Sequence, residues 1–331
     1  MLTIDLPEDV TERLREEFDK LQTGIGDTEQ VLADLLAVGA VLPRETRRQL
    51  LFFRASPYAP SALLITGLPV ESGLPPTPVE ETSDPLKPAQ VSDLSILTVA
   101  VLLGEPIAYR AEKNGAIVQN VFPLPSQRDT PSNESSAAPL GFHTELTFSR
   151  QFADRPFHES SPDYVLLIGL RCPAGRLAST TVVDARGVCA RLGPRQIAAL
   201  RVPQFQLMAP YSFTRDADGT RPWSPPVALL HGPLDAPSLA FDTACGVRPL
   251  TAEASEAITA LTEACCNPEL SQSVQLHAGD LLAINNRRCA HSRSAFPARF
   301  DGQDRWLQRV YVRRNIWPLP VESPGSFRVL T

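Results

Sequence analysis

The residues of this chain best placed to do chemistry are a histidine and a glutamate two positions apart, in Gly141-Phe142-His143-Thr144-Glu145. In extended backbone, side chains alternate between faces, so His143 and Glu145 project to the same side. One imidazole beside one carboxylate makes two metal ligands, and a third must come from elsewhere in the chain. The five histidines are His143, His158, His231, His277 and His291. His291 is the best third ligand, because it follows a strand-like apolar run from Gly279 to Asn285. Two imidazoles and one carboxylate on one face of an octahedral ion leave three positions open. That arrangement suits Fe(II) and O2, with a bidentate 2-oxo acid in the remaining positions. His231 opens a His-Gly-Pro turn and His277 precedes Ala278-Gly279-Asp280, so both read as turn residues. A His-x-Glu pair alone is common by chance, and an isolated His143 would fit a hydrogen-bonded core residue equally well.

A pair of arginines adds weight. A 2-oxo diacid needs a cation for its distal carboxylate, and a guanidinium offers a bidentate fork. Downstream of His291 runs Arg305-Trp306-Leu307-Gln308-Arg309-Val310-Tyr311-Val312. As a strand it places Arg305, Leu307 and Arg309 on one face. Two inward arginines on an apolar strand are costly unless each meets an anion. The competing reading is a solvated edge strand.

These groups need a scaffold. The first part of the chain, residues 1–104, is mostly helical in pattern. A helix starts at Asp5-Leu6-Pro7 and carries Val10, Leu14, Phe18 and Leu21; a second runs from about Asp27 to Gly39; a third follows Pro43; a fourth covers 92–103. Ala62–Thr66 reads as a buried strand. From about 105 to 315 the pattern changes to short β-type runs, at Ile107–Arg110, Ile117–Phe122, Tyr164–Ile168, Thr180–Val183, Phe205–Met208, Val227–Leu229, Ser238–Phe241, Val274–Leu276, Asp280–Asn285 and Arg305–Arg313. Two short helices fill 185–202 and another spans Thr251 to Cys265. The fold class is therefore mainly β with flanking helices, a sandwich or barrel, and without a clean linker the whole chain, 1–331, reads as one domain. The polar segment between Ala209 and Pro226, with Asp216 and Asp218, reads as a lid.

Composition narrows the partners. The 331 residues are 43% hydrophobic with a net charge of −6 and no basic block, which argues against nucleic acid or an anionic membrane as the main partner. The N-terminus has no basic and apolar leader pattern, and no stretch reaches a membrane-spanning length. The six cysteines form no C-x-x-C pair, which fits buried free thiols in a reducing cytoplasm better than a zinc cage or a disulfide framework.

The ordered set of segments resembles a known family. Phe142-His143-Thr144-Glu145, Pro162 to Arg171, Ser179-Thr180-Thr181-Val182, Gly279 to Leu282, and Asn286 to Arg293 look like the clavaminate synthase-like branch of the taurine dioxygenase superfamily. They are especially similar to the amino-acid hydroxylases of peptide-antibiotic pathways. The resemblance covers roughly residues 90 to 315. It implies a distorted double-stranded β-helix, or jelly roll, and a reaction that uses Fe(II), 2-oxoglutarate and O2. It maps His143, Glu145 and His291 onto the iron ligands. Arg305, fourteen residues after His291, maps onto the arginine for the distal carboxylate of 2-oxoglutarate, with Thr180 assisting. Arg309 maps onto the arginine for a substrate α-carboxylate, and Gln119 onto a position that contacts the substrate amino acid backbone, with Gln119 and Glu145 as candidate acceptors for the substrate ammonium. Glu145 argues against a halogenase, which needs a small residue at that position.

Two departures stand out. Residues 149–159 add an insertion after the His-x-Glu segment. Where relatives carry an aromatic-Asp-x-Asp sequence, this chain has Phe241-Asp242-Thr243-Ala244, which leaves Asp242 as a candidate substrate contact but weakens guanidinium recognition. The expected activity is hydroxylation, at C3 or next C4, of a polar L-amino acid, free or carrier-bound, in secondary metabolism. Desaturation or cyclisation by the same cofactors, and a non-catalytic jelly-roll binding protein, are the alternatives.

Overall fold

The computed structural model describes all residues except 22–27, 81–89, 131, 133, 135, 148–160, 211–220, 318, 320, 322 and 331. The N-terminal part contains β1 (Leu2–Asp5), α1 (Glu8–Lys20), α2 (Thr28–Val38), α3 (Arg44–Ala55), β2 (Ala62–Thr66) and α4 (Val91–Leu103). Then follow β3 (Glu105–Tyr109), β4 (Gln119–Val121), β5 (Leu140–His143), β6 (Tyr164–Arg171), β7 (Thr180–Asp184), α5 (Ala185–Cys189), α6 (Pro194–Leu200), β8 (Phe205–Leu207), β9 (Leu230–His231), β10 (Ser238–Leu239), β11 (Val247–Pro249) and α7 (Ala252–Cys265). The chain ends with β12 (Ser271–Val274), β13 (Leu281–Asn285), β14 (Cys289–Arg293), β15 (Trp306–Arg313) and β16 (Val329–Leu330).

Two sheets dominate. The larger has the order β1-β2-β13-β6-β15-β3-β16, with β4 also paired to β15; the smaller has the order β12-β7-β14-β5. Alternation along the central strands decides what each face meets. On β15, Trp306, Val310 and Val312 join the core that α1, α3 and α4 pack upon, while Leu307 and Tyr311 join a second core with Val182 of β7 and Cys289 of β14. Arg305 and Arg309 share the parity of Leu307, so they face the smaller sheet. Helix α4 is apolar on nearly every side because it lies against both the sheet and the neighbouring helices. It stops at Gly104, where any Cβ would stand 2.4 Å from the Arg313 carbonyl oxygen.

Several expectations need correction. The first residues are a strand, β1, parallel to β2, and α1 begins only at Glu8. The strand expected at Ala62–Thr66 is β2, and the unexpected β1 pairs with it at the edge of the large sheet. Beyond residue 315, β16 pairs with β3. The strand expected at Val274–Leu276 lies earlier, at Ser271–Val274, and the one expected at Val227–Leu229 reduces to an isolated bridge at Val227 and a two-residue strand at Leu230–His231. Among the described residues, no helix is long and apolar enough to cross a membrane.

Candidate active site

The run before His291 is strand β13, as expected, and His291 itself sits in the middle of the next strand, β14. On the antiparallel pair β14–β5, His291 lies directly opposite His143, and on β14–β7 it lies opposite Val182. One extra residue on β5, between the pairs His291–His143 and Arg293–Leu140, makes a bulge there. Bulges beside active sites commonly re-aim a side chain. The two imidazole centres are 4.2 Å apart. Glu145 lies past the end of β5, and its Oε1 is 3.9 Å from Nε2 of each histidine. One ligand atom from each of the three side chains falls within 4.8 Å of the others, and all three residues are buried.

The surroundings hold these groups in ligand form. His143 Nδ1 lies 2.8 Å from the Gly141 carbonyl oxygen, which keeps the proton on Nδ1 and leaves the Nε2 lone pair towards Glu145. Asn286 clamps the backbone around Glu145: its Oδ1 accepts from the Glu145 N–H at 2.7 Å, and its Nδ2 donates to the Glu145 and Pro162 carbonyls. The next residue, Leu146, has φ +51°, a left-handed conformation rare for a branched side chain, and Ser161 Oγ donates to its carbonyl. Burial pushes the Glu145 carboxyl upward, but the Arg309 charge and the two histidines overcome it and hold it well below the usual carboxylate range. Glu145 is therefore ionised, the state a metal ligand needs.

One pocket joins the triad to the arginines. It is lined by Thr180, Arg293, Arg305 and Arg309 together with His143, Glu145 and His291. Arg305 is 7% exposed, its Nε–H is buried without a partner, and its guanidinium meets the Phe296 ring, 5.1 Å from the ring centre. Burial and the nearby Arg293 charge drag it down to about 9. Among the described residues it has no carboxylate partner, and a buried cation of that kind suits a site that takes an anion. Thr180, on β7, stands opposite Arg293 in the same pocket. The donor set thus fits both parts of the expected cofactor system: two imidazoles and a carboxylate for Fe(II), and a hydroxyl plus a buried guanidinium for a distal carboxylate.

Arg309 differs from expectation, because it is not short of an anion. Its Nε and Nη2 donate to Gln119 Oε1 at 3.0 and 2.6 Å, Nη2 donates to Glu112 Oε2 at 3.0 Å, and Nη1 reaches Glu145 Oε1 at 3.4 Å. Tyr311, two residues on, donates from Oη to Glu112 Oε2 at 3.0 Å. Burial opposes the Arg309 charge, but Tyr311, Glu112 and Glu145 together raise its pKa above the ordinary arginine value. Asp242 is bridged to His143 in the backbone, yet its Oδ1 accepts from the N–H groups of Ala244 and Cys245, so one of its oxygens is spent on a turn. Asp216 and Asp218, most of the expected lid, His158 and the whole insertion lie outside the described residues. Sequence reasoning missed Glu112, Tyr311 and Asn286. Glu112 had no signal, since it lies in a turn far from every motif; Tyr311 could have been found from its parity with Arg309.

Known proteins resemble this chain over most of its length. Residues 89–311 match the family described as taurine catabolism dioxygenase TauD, TfdA family. The L-asparagine oxygenase of Streptomyces coelicolor is 36% identical over 290 residues, covering 87% of this chain and 81% of that protein. The enduracididine beta-hydroxylase of Streptomyces hygroscopicus is 29% identical over 345 residues, covering 96% and 95%. A solved structure of asparagine oxygenase in complex with Fe(II), (2S,3S)-3-hydroxyasparagine and succinate superposes with a TM-score of 0.86 at 31% identity, over 100% of this chain and 99% of that one. On these grounds the chain belongs to the TauD, TfdA family and is an iron-dependent dioxygenase.

Proposed function

We propose that this protein hydroxylates a free, polar L-α-amino acid, at C3 or next at C4, using Fe(II), 2-oxoglutarate and O2. His143, Glu145 and His291 hold the metal, and Arg305 with Thr180 holds the distal carboxylate of 2-oxoglutarate. Bound there, Fe(II) and 2-oxoglutarate supply the O2-activating chemistry, while the protein supplies placement and a dry pocket. The two facing sheets are read as the distorted jelly roll of such enzymes, with the entire chain as one domain. The free thiols suit a reducing cytoplasm.

The observation that carries the substrate reading is a charge pattern beside the metal ligands: Arg309 next to Glu112, Glu145 and Gln119. A zwitterion matches it. Nη1 of Arg309 has the longest of its contacts, so a substrate α-carboxylate lands there, while Glu112 and the Gln119 carbonyl accept from the ammonium. Support for amino-acid substrates comes from what the asparagine oxygenase and the enduracididine hydroxylase are named for. At the far end Asp242 offers one oxygen to a hydrogen-bonding side chain. With Ala244 two residues on, asparagine- and glutamine-like, citrulline-like and basic side chains stay on the candidate list.

The experiment is a panel of free L-amino acids assayed for substrate-dependent succinate and a mass gain of one oxygen. Loss of two hydrogens instead would indicate desaturation or cyclisation. If every free amino acid is inert and a carrier-tethered one reacts, the zwitterion reading falls.

A further inference from the structure

Two buried arginines, not one, face the end of the pocket assigned to the distal carboxylate. Arg293 lies two residues after His291 on β14, so both side chains project to the same face. Its partner across β14–β7 is Thr180. Arg293 is 7% exposed and lines the pocket with Thr180 and Arg305. The guanidinium centres of Arg293 and Arg305 lie 5.4 and 5.1 Å from the centre of the same Phe296 ring. Arg293 donates to the carbonyls of Ser294, Ser132 and Ala138, all neutral, and its Nε–H is buried without a partner. Among the described residues, no carboxylate pairs with either guanidinium.

We infer that Arg293 is a second cation of the co-substrate pocket, a positioning residue that selects a 2-oxo acid carrying a distal carboxylate. The inference rests on the functional reading above. Two like charges held around one ring repel, and burial keeps solvent from screening them. An anion placed between Thr180 and Arg305 relieves that repulsion, whereas an uncharged tail does not. Arg293 thus adds little to chelation of the metal and much to recognition of the far end of the co-substrate. The competing account is that Arg293 only ties the 132–138 segment to β14 through its carbonyl bonds.

The test uses the full chain loaded anaerobically with Fe(II), titrated with 2-oxoglutarate and with 2-oxopentanoate, a 2-oxo acid of the same length without the distal carboxylate. The readout is the visible metal-to-ligand charge-transfer band, which needs no turnover. Arg293→Met is expected to weaken 2-oxoglutarate about tenfold while leaving 2-oxopentanoate within about twofold. Arg293→Lys, which keeps the charge and loses the fork, is expected to stay within about threefold for both. An equal loss for the two acids in Arg293→Met, or no loss for either, overturns the inference. If Arg293→Met does not fold, Arg293→Lys decides, and a tenfold loss of 2-oxoglutarate there overturns it. A wild-type protein that gives no band with 2-oxoglutarate sinks the functional reading itself.

Discussion

Replacing Arg305 by leucine should push the stability of the empty protein and its affinity for 2-oxoglutarate in opposite directions. Arg305 is 7% exposed, its Nε–H has no hydrogen-bond partner and no carboxylate pairs with it among the described residues, and it lies near a second buried cation, so without ligand its charge is poorly compensated. Removing such a charge stabilises or leaves unchanged the empty fold, as replacing buried ionic groups by apolar ones often does. Removing it also deletes a charge-assisted, water-excluded contact to the distal carboxylate, a loss of about 2–5 kcal/mol, or roughly 30-fold or more in affinity. At 2-oxoglutarate about a hundred times the wild-type Kd, ligand binding adds about 2.7 kcal/mol to unfolding stability; a 30-fold weaker variant gains only about 0.9 kcal/mol. The assay is anaerobic chemical denaturation with Fe(II), with and without 2-oxoglutarate, alongside titration of the charge-transfer band. A variant less stable than wild type without ligand, yet bound within threefold of wild-type affinity, would refute both halves of the argument.

Alanine at His143, Glu145 or His291 should abolish turnover and weaken Fe(II) binding by at least tenfold, while circular dichroism stays native; near-normal activity in any one of them removes that residue from the site. Arg309→Leu should raise the substrate KM at least tenfold and change the 2-oxoglutarate requirement little, because Arg309 contacts Gln119 and Glu112, not the distal-carboxylate end; a mainly 2-oxoglutarate defect would exchange the roles of the two arginines. Asp163 joins Arg287, Arg313 and the Arg314 N–H at 3.0, 3.6 and 2.8 Å, and Asp163→Asn should cost about 3–5 kcal/mol at pH 7 by leaving buried guanidiniums unpaired. Burial pushes Asp163 up, but these arginines hold it below its usual value of 3.8. Its contribution is therefore complete above about pH 4 and is lost as pH falls through the lower folded value. Denaturation curves across pH 2.5–7 should show that part of the acid slope in wild type and not in the variant; equal slopes would place the linkage elsewhere.

The sequence by itself determined the parts whose signal is local. The period of Val10, Leu14 and Phe18 wrote α1, and the helix read from Thr251 to Cys265 is α7, with Thr251 as its N-cap in the structure. Apolar runs wrote β6 and β13, and the two-residue spacing of His143 and Glu145 named two candidate ligands before any pairing was known. The strand β14 escaped because Cys-Ala-His-Ser-Arg is short, mixed in polarity and buried on both faces, so no alternation marks it. Tertiary structure alone decided the rest. Register across β5–β14–β7 set His291 against His143 and Thr180 against Arg293, with partners more than a hundred residues apart in sequence. Glu112 reached Arg309 across 197 positions, and Asn286 reached Glu145 across 141. A pattern of neighbours in the chain fixes which face a side chain takes. What that face meets depends on which strands pair and in what register, and that placed Glu112 and Glu145 beside Arg309 while among the described residues no carboxylate is paired with Arg305.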